Sequence, residues 1–434
     1  MPAGSPEREP SAARNIYAFG TTSFLNDTAS EMAYWVLPAF LASLGAGPAQ
    51  LGLIEGIAES VASFAKLFSG YLTDRLDRRK PVVVAGYFVA NAVKPLLAIV
   101  TSWRHILLIR FTDRLAKGVR GAPRDVMVAE SVGRNQLGSA YGLIQSMDSA
   151  GAIAGPLIAL VLLARYGMRG VFLGASVPGA LCVLVALFGI RETVRRRGEA
   201  RAGAARAGEV PGEDRLDAPS FDQSGELVLA GTDVRAVFPK LPGSFYFVLS
   251  AVTLFSLGNS SDMFLVLRAE SVGIPIALAP LLGLVFNLVY TLLSWPAGWL
   301  SDRLSRRIIA ALGYLVFAAV YFVFGRAPST LAIWLTMASY GLYYALTQPV
   351  LKALVVESVD PAVRGRALGI YFFATSVATL AASVVTGELW KHYGASVPFY
   401  FSAALAALSA VLLLVNPAKS ATVLASRTIS AGGE

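Results

Sequence analysis

The chain has 434 residues, of which 55% are hydrophobic and 15% charged, and its mean hydropathy is +0.59. Soluble proteins have about 25% charged residues, so this composition excludes an ordinary soluble globular protein. The 37 basic and 28 acidic residues give a formal net charge of +9. Basic cytoplasmic loops of a membrane protein account for this charge without a nucleic-acid partner.

Apolar segments long enough to cross a bilayer, about 20 residues each, recur along the whole chain. Six predicted spans lie at about 16–44, 48–73, 81–101, 104–129, 136–165 and 170–190. Six more lie at about 243–271, 276–301, 307–326, 329–356, 364–389 and 394–415. The sequence therefore predicts an all-α membrane protein with twelve transmembrane helices in two six-helix bundles. The predicted divisions are a tail at 1–14, bundles at 15–190 and 243–415, a linker at 191–242 and a tail at 416–434.

Basic residues are concentrated in alternate loops, which indicates the orientation in the membrane because Lys and Arg resist translocation. One set of loops contains Arg75, Arg78, Arg79, Lys80, Arg134, Arg303, Arg306 and Arg307. Placing these loops in the cytoplasm also places the linker and both termini there. We expect a multi-pass protein of the cytoplasmic membrane, in contact with membrane lipid.

Two sequence blocks occur twice. GYLTDRLDRRK at 70–80 resembles GWLSDRLSRR at 298–307, and their first glycines are 228 residues apart. Glu130-Ser-Val, followed by Gly138 and Gly142, resembles Glu357-Ser-Val, followed by glycines at 365 and 369, with a separation of 227. The same order at nearly the same separation indicates duplication of a six-helix unit, which is typical of one large class of transporters.

The first repeated block resembles the signature of the major facilitator superfamily, G-x-L-x-D-R-x-G-R-[RK]. The matching residues are Gly70, Leu72, Asp74, Arg75, Arg78 and Arg79 in one copy and Gly298, Leu300, Asp302, Arg303, Arg306 and Arg307 in the other. Both copies depart at the inner glycine, which is replaced by Asp77 and Ser305. The resemblance implies two pseudo-symmetric bundles, secondary transport of a small-molecule substrate, and a gate at these loops.

Two further motifs lie in the first half. Either Arg110 or Arg114 matches the family's fourth-helix arginine, and the sequence does not decide between them. Gly151, Gly155 and Pro156 resemble the fifth-helix G-x-x-x-G-P element of the antiporter branch. The same spacing of small residues also serves ordinary helix packing, so both interpretations stay open.

Ionisable residues inside predicted spans are functional candidates, because an unpaired charge in the bilayer centre is costly. Asp27 and Asp148 each lie about 18 Å along their spans, near the midplane. The remaining first-half candidates for a proton or substrate path are Glu31, Glu55, Glu59, Arg110, Asp113, Arg114 and Lys117. The alternative is that these acids and bases neutralise each other structurally, since spans one to five contain seven of each.

In the second half, Tyr340, Tyr344 and Gln348 lie on one face of the tenth span. They either line a substrate cavity or form ordinary packing. This asymmetry predicts that the first half handles ion coupling and the second contributes shape and aromatic contact.

Asp74 and Asp302 end the second and eighth spans, where a carboxylate can accept N–H groups from the start of a neighbouring helix. We expect Arg78 or Arg306 to complete an ion pair there, and Arg364, Gly365 and Arg366 to be partners at the start of the eleventh span. Such contacts would hold the cytoplasmic mouth shut.

No phosphate-binding GxxxxGK[ST] loop is present, and two histidines and one cysteine, Cys182, provide no metal site, cofactor site or catalytic set. The sequence therefore favours a monomeric secondary transporter, and not an enzyme, that exports a small solute in exchange for protons. Proton-coupled uptake of an anionic or zwitterionic solute, a lipid flippase and a non-transporting membrane sensor are the alternatives.

Overall fold

The computed structural model describes residues 9–46, 48–193, 220–221, 227–228, 241–275, 278–326 and 329–415. The helices of the first half are α1 (Glu9–Ser43), α2 (Pro48–Arg75), α3 (Lys80–Val93), α4 (Trp103–Ser131), α5 (Leu137–Gly174) and α6 (Ser176–Phe188). Those of the second half are α7 (Gly243–Ser256), α8 (Met263–Ser271), α9 (Ala279–Arg303), α10 (Arg306–Arg326), α11 (Thr330–Glu357), α12 (Arg364–Tyr393) and α13 (Val397–Val415). Short 3-10 helices lie at Lys94–Ala98, Arg134–Gln136 and Pro361–Val363.

Two short strands, β1 (Ser220–Phe221) and β2 (Leu227–Val228), lie in the predicted linker and pair antiparallel. Ser220 lies opposite Val228, and Phe221 lies opposite Leu227. Most of the predicted linker, the start of the first predicted tail and the whole second tail lie outside the described residues. The helix α1 begins at Glu9, within the predicted tail.

Helix breaks explain how thirteen described α-helices make twelve spans. Gly167 has φ +66° inside α5, a conformation that favours glycine, and the chain reverses there from the fifth predicted span into the sixth. The seventh predicted span is divided into α7 and α8 by a non-helical segment at 257–262. By length and composition, six described helical segments are apolar enough to cross a membrane. The other spans contain charged residues, tyrosines or a break.

Each half packs as a bundle around matching helix pairs. In the first half α1 packs on α5, and α4 packs on both α2 and α3. In the second half α11 packs on α9 and α10, and α13 packs on α10. The aromatic core of the second half includes stacked pairs, with Phe255 4.0 Å from Tyr314 and Phe317 3.9 Å from Tyr321 between ring centroids.

The two halves meet along α5 with α9 and along α2 with α12. Glycines make these crossings possible, because a Cβ on Gly70 would lie 2.5 Å from the carbonyl oxygen of Gly365. Gly138 and Gly298 approach each other with similar closeness. Small residues let membrane helices approach backbone to backbone. We call the side of the molecule with these crossings and with the loops at 75–80 and 303–306 the basic end.

Candidate functional site

At the basic end, Asp74 joins the two halves. Its two carboxylate oxygens accept hydrogen bonds from the backbone N–H groups of Gly365 and Arg366, each at 2.8 Å. These are N–H groups of the first turn of α12, which no helical carbonyl can satisfy. Asp74 thus caps α12 of the other half, at the partners expected from the sequence. We call this contact the Asp74 latch.

Asp302 forms the equivalent Asp302 latch in the opposite direction, at the start of α5. It accepts hydrogen bonds from the N–H groups of Gly138 and Ser139, each at 2.7 Å, and from the Ser139 hydroxyl at 2.7 Å. The Arg306 guanidinium lies 2.8 Å from the Asp302 carboxylate and donates to the carbonyl oxygen of Arg134 at 2.6 Å. The Asp302 latch therefore contains more contacts than the Asp74 latch.

The predicted ion pair is confirmed for Arg306 at Asp302, whereas the prediction that Arg78 plays this part at Asp74 is wrong. Arg78 is exposed, as are Arg75 and Arg303, whereas Arg79 is 2% exposed. Arg79 lies 2.6 Å from Glu130, and Arg306 lies 2.6 Å from Glu357. Both arginines precede their glutamates by 51 residues. Arg79 follows Asp74 by five positions, whereas Arg306 follows Asp302 by four, and this extra residue changes which arginine points inward.

A chain of polar side chains crosses the interior of the first half. Lys94 donates to Asn91 Oδ1 at 2.9 Å, and Asn91 donates to Asn26 Oδ1 at 3.2 Å. Asn26 in turn donates to Asp27 Oδ1 at 3.0 Å. The carboxyl groups of Asp27 and Asp148 lie close enough to interact directly with each other. The structure thus brings together two acids from the first and fifth spans, and it connects them to a buried lysine.

Basic side chains lie around this acid pair. Lys117 is the positive charge that acts most strongly on Asp27, and Arg124 is the one that acts most strongly on Asp148. Lys117 is nevertheless exposed. It also interacts with Lys352 on α11, a second-half residue outside the predicted path that interacts with Asp148 as well. Lys117 and Lys352 therefore approach the acid pair from opposite halves, and we call the region around them the vestibule.

The fourth-helix charges lie beside the polar chain. Asp113 is acted on by Lys94, Arg114 and Arg110, in decreasing order of strength. Arg110 lies 3.8 Å from Asp113 and faces the ring of Tyr34 at 5.5 Å. Lys94, Arg110 and Asp113 also line a cavity of about 20 Å³, which is room for about one water molecule. Both candidate arginines thus act on one acid.

Gly151 and Gly155 let α5 pack closely on α1 beside Asp27 and Glu31. A Cβ on Gly151 would lie 3.2 Å from Asp27 Cβ, and one on Gly155 would lie 2.7 Å from Glu31 Cβ. Glu31 is half-buried at this contact.

The side chains of Glu55 and Glu59, two further predicted members of the proton or substrate path, lie outside the described part of the structure. Their part in the path stays a prediction.

In the second half, the predicted tyrosines surround an acid at the break between α7 and α8. The Tyr340 hydroxyl donates to Asp262 at 2.7 Å. Tyr344 packs edge-on against Tyr340 at 5.1 Å between centroids. Gln348 is half-buried one turn further along α11. Sequence reasoning did not place Asp262 with the tyrosines, since no local signal predicts the helix break.

Away from the basic end, the halves are separated. A crevice of about 270 Å³ lies between α5 and α9, and its lining residues are Val36, Ala152, Ile153, Pro156, Leu157, Ala159, Leu160, Leu163, Leu281, Gly283, Leu284 and Asn287. Among these residues only Asn287 has a polar side chain. The halves are therefore in backbone contact at the basic end, and an apolar crevice lies between them nearer the other end.

Known proteins resemble this chain over nearly its whole length. The family model of the Major Facilitator Superfamily matches residues 19–266 and 244–429. An uncharacterized MFS-type transporter of Methanocaldococcus jannaschii is 30% identical over 420 residues, covering 94% of this chain and 96% of the relative. Multidrug resistance protein MdtG of Escherichia coli is 30% identical over 185 residues, covering 41% of this chain and 45% of that protein.

Solved structures share the fold at low sequence identity. The human organic anion transporter MFSD10 superposes with a TM-score of 0.71 at 16% identity, covering 93% of this chain and 100% of that one. The Escherichia coli fucose:proton symporter FucP gives 0.69 at 14% identity, covering 93% and 99%. The two halves, their repeated latches and the family match lead to one conclusion: this chain is a member of the Major Facilitator Superfamily.

Proposed function

We propose that this transporter moves a small solute across the cytoplasmic membrane by alternating access and exports it in exchange for protons. The observation that supports proton coupling is the contact between Asp27 and Asp148. Two touching carboxylates repel when both are ionised, so binding a proton relieves the repulsion. A bound solute near the vestibule or a change in the distance to Lys117 would then alter proton binding.

The latches support alternating access. The halves touch through backbone contacts at the basic end and separate towards the other end. With the basic loops in the cytoplasm, as the charge distribution predicts, this conformation opens to the outside. Release of the Asp74 and Asp302 latches would let the basic end open while the outer crevice closes. Both termini are then cytoplasmic, and one chain contains the whole pathway, so a monomer suffices.

Export is the direction that the helix-five element and the partial similarity to a multidrug resistance protein support. Proton-coupled uptake is the competing direction. The two differ in the sign of proton movement when solute enters a vesicle, because an antiporter then moves protons out and a symporter moves them in.

Reconstituted vesicles test coupling and direction together. The protein is inserted into liposomes that contain a pH-sensitive dye, and a panel of solutes is added outside. We expect at least one solute to make the lumen more alkaline as it enters, and we expect Asp27→Asn and Asp148→Asn to abolish the signal. Glu388→Gln is the matched control, because the Glu388 side chain is 65% exposed and far from the pair. Solute entry that acidifies the lumen, or full coupling in Asp27→Asn, would refute proton antiport.

Lipid translocation is a second candidate, and the apolar crevice between α5 and α9 favours it. A crevice that opens sideways admits an acyl chain from the bilayer. A fluorescent phospholipid in the same vesicles tests this, since translocation makes the label accessible to a reductant on the other side. Lipid translocation would be supported if the protein accelerates the movement of the label and if replacing Leu160, which lines the crevice, with Trp abolishes this acceleration.

A further inference from the structure

Asp262 is an acid inside the second half with an unusual environment. Asp262 lies directly before α8, at the break in the seventh span, and it is exposed. The Tyr340 hydroxyl donates a hydrogen bond to it at 2.7 Å. Tyr340 lies ten residues into α11, about 15 Å from the start of that helix, so the carboxylate lies well inside the span.

No basic side chain in the described part of the chain forms an ion pair with Asp262. Arg268, one and a half turns further along the chain, donates to the carbonyl oxygens of Phe324 and Gly325 at 3.0 Å each. Its guanidinium is thus occupied elsewhere. Asp27 in the first half, by contrast, has both Lys117 and Arg120 acting on it. Among the described residues, therefore, no basic side chain balances the negative charge that Asp262 carries when it is ionised.

Aromatic rings pack around Tyr340, the tyrosine that binds Asp262. Phe286 and Tyr344 lie 5.0 Å apart between centroids and meet at 78°, forming a corner. Both residues are only half-buried. Tyr340, which bonds to Asp262, packs against Phe286 at 5.5 Å and against Tyr344 at 5.1 Å. The carboxylate and the two partly accessible rings are thus joined through a single buried tyrosine.

A carboxylate and two partly accessible aromatic rings that share one tyrosine match one kind of ligand. The face of an aromatic ring is electronegative, and it attracts ammonium groups whose hydration shell has been removed. The carboxylate adds a full opposite charge, while it would repel an anion. We propose that Asp262, Tyr344 and Phe286 bind the positively charged group of a lipophilic organic cation, such as a quaternary or protonated amine. This proposal specifies the substrate class of the transport function proposed above, but it does not depend on proton coupling.

Binding to the purified protein in lipid nanodiscs tests the inference. The probe is phenyltrimethylammonium, whose charge cannot be lost by deprotonation, and benzenesulfonate is the probe of similar size and opposite charge. We expect saturable binding of the cation only. Asp262→Asn should weaken it by more than about tenfold, as removing one member of a desolvated charge contact does. Tyr344→Leu should weaken it by about threefold to tenfold, and Tyr344→Phe should change it little.

Controls separate a binding defect from misfolding and from failure of transport. Glu270→Gln changes an exposed acid on the same helix and should bind like the parent protein. Each variant must elute as the parent does in size-exclusion chromatography, and Asp262→Glu should restore most of the binding lost in Asp262→Asn. Equal binding of both probes, or unchanged cation binding in Asp262→Asn, would overturn the site. If the cation binds as expected but no solute moves protons, the cation site is supported and proton antiport is refuted. If solutes other than cations exchange with protons and the cation does not bind, proton antiport is supported and the cation site is refuted.

Discussion

The two halves of this transporter share one scaffold but differ in chemistry at equivalent positions. An offset of 227 relates Arg79 to Arg306 and Glu130 to Glu357, and both pairs form the same contact. At that offset Lys94, Asp113 and Lys117 correspond to Tyr321, Tyr340 and Tyr344. Charged groups of the first half are thus replaced by tyrosines in the second. The comparison indicates that duplication kept the packing and the latches, while the polar interior diverged into a charged network and an aromatic one.

The packing between helices also differs at equivalent positions. Gly151 and Gly155 hold α5 tightly on α1, whereas the corresponding residues of α12 are the buried Ala378 and Ala382. Glycine allows a closer approach than alanine. The closer contact lies in the half where two acids must touch across it. Four predictions test how the two halves differ.

The largest effect is expected from Lys94→Met, which removes the buried base at the start of the first-half chain. Asp113 then loses the positive charge that acts on it most strongly. Breaking a buried ionic contact costs about 3–5 kcal/mol, so the Tm in detergent should fall markedly and proton-coupled transport should be lost. Lys391→Met, at an exposed lysine of α12, is the control. An unchanged Tm in Lys94→Met would mean that the charged network does not stabilise the fold.

The latches should differ in strength. Asp302 makes three hydrogen bonds to α5 and an ion pair to Arg306, whereas Asp74 makes two hydrogen bonds to α12. Since bonds to charged groups contribute about 1.5–3 kcal/mol each, Asp302→Ala should open the basic end more than Asp74→Ala.

Alkylation from the basic end measures this opening. A cysteine at Gln348, in a Cys182→Ala background, should react with an impermeant maleimide about tenfold faster in Asp302→Ala and about threefold faster in Asp74→Ala. Asp360→Ala is the control, because Asp360 is exposed and its hydrogen bond stays within its own half. Equal rates in all variants would exclude the latches as the closing contacts.

A smaller effect is expected from Gly155→Ala. The added Cβ would lie 2.7 Å from Glu31 Cβ and 2.8 Å from the carbonyl oxygen of Thr28. Overpacking of this kind costs about 1–3 kcal/mol, and the displaced α5 should weaken the contact between the two acids. Tm and proton-coupled transport are the measurements. Gly121→Ala has open space around its new Cβ and should lower neither.

The smallest effect is expected from Arg78→Ala. Arg78 is exposed, so its loss should change the free energy of unfolding by less than about 0.5 kcal/mol. Arg306→Ala, at the residue that the motif aligns with Arg78, should be strongly destabilising since it removes the basic partner that Asp302 and Glu357 share. Similar Tm changes in the two variants would contradict the corrected pairing.

The sequence predicted the latches because their parts are local. An acid at the end of a span and N–H groups at the start of another are visible in the residue order, and duplication showed which loops belong together. The sequence did not predict the role of Arg79. One extra residue between Asp74 and Arg79 changes which arginine points inward, while the motif still matches. Sequence reasoning also missed Asn91 as a connector, since an asparagine within an apolar span gives no indication of what it contacts.

The amino-acid sequence by itself determined the class of protein, the positions of the spans and the repeat, because a bilayer imposes long apolar helices and duplication leaves a constant offset. Only the tertiary structure decided which charges meet. Asp27 contacts Asp148 and Asp262 contacts Tyr340, and each pair lies on different helices, far apart in the chain. Helical periodicity fixes the face on which a residue lies, whereas its partner depends on the packing of helices, and that packing depends on the shapes of all side chains between them.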